Sequence, residues 1–174
     1  HGTVIETVVR RLVLMRLAET VIVTGYRGEA VAQEVANLPV QVVHNAGYAQ
    51  GEMLSSLQVG LQAMPDSVAA CLVVLGDQPL LDPRTVGRIL DAFAEGRGEI
   101  IVPTYRGRRG HPVLIGRRFW PEMLALEKGF PRDVIRQYPE YTGTVEIDND
   151  SILTDIDTPE QYRQARLRGD QSKD

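Results

Sequence analysis

The stretch that most constrains this chain is Ala69-Ala70-Cys71-Leu72-Val73-Val74-Leu75-Gly76-Asp77-Gln78-Pro79. An unbroken apolar run of strand length reads as a strand buried on both faces, and Gly-Asp-Gln-Pro stops it abruptly. Such a strand needs cover above and below, which places the 70–75 run in the interior of an α/β sheet. It also delivers one carboxylate, Asp77, to the strand's C-terminal end. Ligands gather outside those ends in open α/β sheets, and a carboxylate held there can fix a divalent cation against phosphates. The ordinary structural alternative is an Asp that closes a tight turn.

The surrounding sequence repeats the strand-turn-helix rhythm. Residues 3–18 place apolar side chains at helical spacing between Arg10, Arg11 and Arg16. Residues 21–24 and 40–44 are β-branched strands, with helix-like segments at 29–36 and 53–64. A helix is expected over 83–94, with Pro83 in its first turn. Alternating strands and helices predict an α/β fold, a mostly parallel sheet covered by helices on both faces. The second half is less regular. Strands are expected at 100–103, 112–115 and 144–147, short helices at 120–126 and 132–138, and a loop dense in glycine and cationic residues between Tyr105 and Pro112. Thr158 with Gln161 and Pro159 reads as a capping box that opens a C-terminal helix.

A length of 174 residues fits one domain with a real core. A net charge of −4 argues against a nucleic-acid partner, because a duplex-binding surface carries a basic excess. No segment has the length of a membrane span and no signal-peptide pattern opens the chain, so no membrane partner is expected and the cytoplasm is the default location. The single Cys71 lies inside the apolar strand, which excludes a disulfide framework and reads as core.

Four polar islands follow strands, and in a parallel sheet they would converge on one edge. Asp155 and Asp157 flank Ile156, so in extended backbone both carboxylates face one way and could complete a metal site with Asp77. Oxygen donors without a Cys or His cluster suit Mg²⁺. Asp157 also fits a helix N-cap, and the two roles are compatible. Ser55 and Ser56 open a helix, where hydroxyls and free N–H groups can meet an anion or a base; ordinary N-terminal serines are the alternative. His111, between Gly110 and Pro112, sits beside Arg106, Arg108 and Arg109 in a patch that attracts anions or is a solvated turn.

These motifs together resemble the MobA-like nucleotidyltransferases, and within them the molybdenum-cofactor cytidylyltransferase branch. The residues concerned are Asn45 with Gly51-Glu52-Met53 and Ser55-Ser56-Leu57-Gln58-Val59-Gly60-Leu61, then Leu75-Gly76-Asp77-Gln78-Pro79, Gly107-Arg108-Arg109-Gly110-His111-Pro112-Val113 and Asp155-Ile156-Asp157-Thr158-Pro159-Glu160. The resemblance implies a Rossmann-like nucleotidyltransferase fold and an Mg²⁺-dependent enzyme that transfers CMP from CTP to the terminal phosphate of a pterin, with pyrophosphate released. It implies that Asp77 and Asp157 are the metal-holding catalytic carboxylates and that Ser56, with Ser55 and Gly76 beside it, meets the nucleotide. Arg109 and His111, with Asp155, would line the acceptor side, and a molybdenum hydroxylase would receive the product. GTP in place of CTP, another phosphorylated acceptor, or a non-catalytic cofactor carrier are the alternatives. The family's N-terminal strand and glycine-rich triphosphate loop have no counterpart here. Gly2-Thr3-Val4-Ile5-Glu6 resembles the segment just beyond that loop, so residues 1–174 are expected to be a single, N-terminally incomplete domain.

Overall fold

The structure is a computed structural model that describes residues 2–50, 53–154 and 161. Helix α1 (Val4–Leu14) starts where Thr3 Oγ1 accepts from the Glu6 N–H and stops at Met15, before Arg16 turns to positive φ. Its buried face carries Val8, Val9 and Leu12. Strand β1 (Val21–Thr24), helix α2 (Gly28–Val35) and strand β2 (Gln41–His44) follow, and β1 and β2 pair in parallel. Helix α3 (Met53–Ala63) leads to strand β3 (Ala70–Val73). Helix α4 (Pro83–Ala94) is capped by the Asp82 carboxylate, which accepts from the Arg84 N–H, with Pro83 preset for the first turn.

The second half builds strands β4 (Ile100–Tyr105), β5 (Arg108–Arg109) and β6 (Val113–Gly116), helices α5 (Trp120–Ala125) and α6 (Pro131–Gln137), and strand β7 (Thr142–Glu146). Strands β3, β6, β4 and β5 lie side by side in that order, with β7 also paired to β4. Within this sheet, among the described residues, the β4/β7 pairing is parallel like β1/β2, whereas β3/β6, β4/β6 and β4/β5 are antiparallel. The expectation of a mostly parallel sheet is therefore corrected, for a reason of chain length. A parallel neighbour needs a crossover of a dozen or more residues, and no helix lies between β4 and β6. The chain instead folds back through Arg106 and Gly107, whose φ values of 49° and 76° match the type I′ turn of a tight hairpin. The stretch read as a loop thus contains β5.

The cover on both faces is as expected. Successive strand residues alternate between two cores, as the two-residue period requires. Cys71, Ile100, Val102, Val113 and Ile115 pack with Phe119, Trp120, Met123 and Ile135 on the α5–α6 side. Ile101, Leu114 and Val145 pack with Ile89 and Ala92 of α4 on the other. Each such aliphatic side chain, fully buried, contributes roughly 1.5–3 kcal/mol.

Strand β3 is not interior among the described residues. One edge pairs with β6, while the other faces a cavity of about 480 Å³ that separates it from β1. Val21, Ile22 and Val23 of β1, Ala70, Cys71 and Leu72 of β3, and Val8, Val9 and Leu12 of α1 line that cavity. Two sheets thus stand where one was expected, and half-burial of Ala70, Leu72 and Val73 follows from the open edge.

Candidate functional site

Asp77 sits on the turn directly after β3, as the apolar run and its abrupt stop foretold. The turn is braced from behind. Gln78 is buried, and Leu81 packs with Val8 and Leu12 of α1 and Val86 of α4. Arg11 donates from Nη1 to the Leu81 carbonyl at 2.8 Å, tying α1 to the same segment. Oδ1 of Asp77 is shielded from solvent, so the carboxylate is held inward by its surroundings. Gly76 lines the cavity between the sheets, close under Ile5 of α1.

The two serines are organised by a residue whose importance is visible only in the folded chain. Asn45 extends the β1/β2 ladder by one residue, donating its backbone N–H to the Thr24 carbonyl at 2.8 Å, and it is only 3% exposed. Its Oδ1 accepts from the Gly47 N–H at 3.0 Å, which orients the amide and turns Nδ2 toward α3. Nδ2 then donates to Ser55 Oγ at 2.8 Å and Ser56 Oγ at 3.1 Å. A hydroxyl that accepts from an amide still has its own proton to donate, so Ser56 is positioned as a donor with a fixed oxygen.

Arg109 and His111 both line a second cavity of about 360 Å³. The structure accounts for the glycine between them. A Cβ at Gly110 would lie 2.2 Å from the Ile152 carbonyl oxygen, so only glycine allows this approach. The same close packing lets the His111 N–H donate to that carbonyl at 3.0 Å, while the Gly110 N–H donates to Pro103. Glu146 secures the neighbouring turn, accepting from Thr104 Oγ1 and, at 2.8 Å, from the Arg106 N–H. Those bonds, the threonine's first, hold its carboxyl below the usual range. Met53 and Leu57 of α3 and Val73 of β3 line the same cavity, so the serine helix and the aspartate strand both border the His111 loop.

The part of the lining that comes from α6 was not legible in the sequence. Phe130 and the α6 residues Arg132, Ile135 and Arg136 close the cavity. The four-residue spacing of the two arginines was visible, but nothing in the sequence says what an exposed helical pair faces. Asp155 and Asp157 lie outside the described residues, so the second metal carboxylate and the third acceptor residue are not placed. Among the described residues no group of three His, Cys, Asp or Glu side chains stands together to hold a metal ion. A hard cation there would depend on Asp77 with phosphate and water oxygens, and its chemistry as an oxygen donor fits Mg²⁺.

Strands sandwiched by helices, with a carboxylate on the turn after a sheet strand and a cationic pocket beside it, define an α/β nucleotidyltransferase fold. A nucleotidyl transferase from Methanothermobacter has this fold, with a TM-score of 0.82 at 24% identity over 99% of this chain and 82% of that one. The chain belongs to the MobA-like NTP transferase domain family, which matches residues 1–141. It is similar to the molybdenum cofactor cytidylyltransferase of Escherichia coli K12, 30% identical over 172 residues, 97% of this chain and 84% of that protein. It is also similar to the nicotine blue oxidoreductase of Paenarthrobacter nicotinovorans, 32% identical over 171 residues, 92% of this chain and 82% of that protein.

Proposed function

We propose that the protein is a cytidylyltransferase that joins CMP, taken from CTP, to the terminal phosphate of a pterin of the molybdenum-cofactor type. The observation that carries this reading is the cavity shared by the His111 loop, α3 and α6, which combines a cationic rim with an apolar floor beside the serine helix. The similarity to a molybdenum cofactor cytidylyltransferase over nearly the whole chain supports it. In the reaction, an oxygen of the acceptor phosphate attacks the α-phosphorus of CTP. The bond from that phosphorus to the bridging oxygen breaks, and pyrophosphate leaves with the electron pair. No covalent enzyme intermediate is needed, so the protein's contribution is positioning and charge neutralisation.

Ser56, fixed by Asn45, donates to the nucleotide, with Ser55 and Gly76 beside it. Asp77, together with Asp157, would hold a divalent cation. When bound, Mg²⁺ neutralises charge on the reacting phosphates. Arg109 and His111, with Asp155, hold the acceptor.

The test supplies the protein with Mg²⁺ and CTP or GTP, with and without the phosphorylated pterin, and measures pyrophosphate release. Release that requires both CTP and the pterin supports the reading. Release with GTP alone reassigns the base, and binding of the pterin without any release makes the protein a carrier. A second reading is favoured by the nicotine blue oxidoreductase relative, since related chains carry names from two reaction classes. Reduction or oxidation of a flat aromatic substrate, followed by its absorbance, with no pyrophosphate from any nucleotide, would establish it.

A further inference from the structure

We infer that Arg132 and Arg136 of α6 form a phosphate subsite that makes the acceptor cavity selective for a flat ring carrying a phosphomonoester. The inference rests on the transferase reading above and assigns the part of its acceptor that α6 recognises. The cavity is lined by Arg109, His111, Arg132 and Arg136, and no Asp or Glu is among the described residues that line it. The chain as a whole is acidic, at −4, so the described lining of this cavity departs from the chain's net charge in sign. A cleft lined by one sign of charge focuses the field on an oppositely charged ligand.

Beneath the rim the lining changes character. Met53, Leu57, Val113 and Ile135 make an apolar floor that offers nothing to a charged group and suits the face of a ring. A volume of about 360 Å³ takes one small heterocycle with its substituent. The cavity therefore divides into an apolar half and a cationic half, the division that a phosphorylated ring compound carries.

The α6 arginines are held ready. They are four residues apart, one turn of helix, and both border the cavity. The Arg132 guanidinium lies 4.3 Å from the centre of the Phe130 ring, which limits its rotamers without using its N–H donors. Arg136 is 3.8 Å from Asp133 Oδ1, a long contact between exposed side chains that competes weakly with a ligand. Asp133 is itself engaged, since its Oδ2 accepts from the Phe130 N–H at 2.9 Å. Three guanidinium groups lining one cavity suit the several oxygens of a dianionic phosphate, where a single carboxylate would leave donors unused.

The test uses the 174-residue protein and two fluorescent probes, 6-hydroxymethylpterin and its phosphate ester, titrated by pterin fluorescence. The wild type should bind the ester about tenfold or more tightly than the alcohol, with the difference shrinking as salt rises. The Arg132→Ala/Arg136→Ala variant should lose that preference and bind the alcohol as the wild type does. Arg132→Lys/Arg136→Lys should keep part of it, because the charge remains while the fork is lost. Thermal unfolding of each variant checks the fold, and calorimetry with CTP and Mg²⁺ should give wild-type affinity. Equal binding of the two probes by the wild type, or an undiminished preference in the double alanine variant, overturns the inference. Loss of the preference in a protein that neither binds CTP nor releases pyrophosphate leaves the subsite standing and removes the transferase reading. Pyrophosphate release that survives with the preference unaltered does the reverse.

Discussion

Asp77 stands on a turn braced by α1 and α4 packing around Leu81. Asp77→Asn preserves the shape of the side chain and removes the charge that would hold a cation. The expected result is a loss on the order of 10³-fold or more in pyrophosphate release, with an unchanged unfolding midpoint. A variant that keeps near-normal release would show that the metal is held elsewhere. Cys71 supports a prediction of a different kind. Burial pushes its thiol from 9.0 up to about 12. The folded state then keeps its proton where the unfolded chain has lost it, so stability is fully present below pH 9 and falls as pH rises from about 9 toward 12. The slope is about 1.4 kcal/mol per pH unit from this group alone. Urea unfolding from pH 8 to 10.5 should therefore fall more steeply for the wild type than for Cys71→Ala; parallel slopes would mean that the thiol is open to solvent.

At the scale of elements, the site depends on contacts that sequence proximity does not reveal. Gln58 of α3 donates from Nε2 to the carbonyls of Met123 at 3.0 Å and Leu126 at 2.9 Å, satisfying the C-terminal end of α5 from another helix. Gln58→Leu leaves those acceptors without this donor. It should lower stability by about 1–3 kcal/mol in denaturant unfolding, with an unaltered m-value, and shift the helix that carries Ser55 and Ser56. If the variant unfolds at the wild-type midpoint, α3 and α5 are held by apolar packing alone. Much of the element map was legible, because helix periodicity, the Asp82 cap and Pro83 are local signals. The β4–β5 hairpin was missed because Arg-Gly at its turn is a weaker signal than Asn-Gly or Asp-Gly, and β5 is only two residues long.

At the scale of the molecule, β1 and β3 each have one edge without a strand partner among the described residues, and both strands line a cavity of about 480 Å³ whose side chains are largely apolar. Unpaired strand edges recruit other strands, and an accessible apolar cavity binds hydrophobic dyes. The 174-residue chain is expected to raise the fluorescence of anilinonaphthalene sulfonate and to elute at larger apparent size as its concentration rises. A dark dye and a concentration-independent monomer would mean that those edges are closed in solution. No helix among the described residues is long and apolar enough to cross a membrane.

The sequence by itself determined where the helices and most of the strands lie, that Asp77 ends a strand, and that Arg109 and His111 belong to one glycine-bearing loop. These follow from interactions between near neighbours, in side-chain period, caps and turn residues. Only the tertiary structure decided that β3 pairs with an antiparallel β6, that Asn45 holds both serines, and that α6 brings Arg132 and Arg136 to the cavity that Arg109 lines. Strand order depends on connection length and on which edges meet, and the two walls of a cavity can lie far apart in the chain. Neither is encoded in the spacing of neighbouring residues, so both appear only when the cores on the two faces of the sheet are packed.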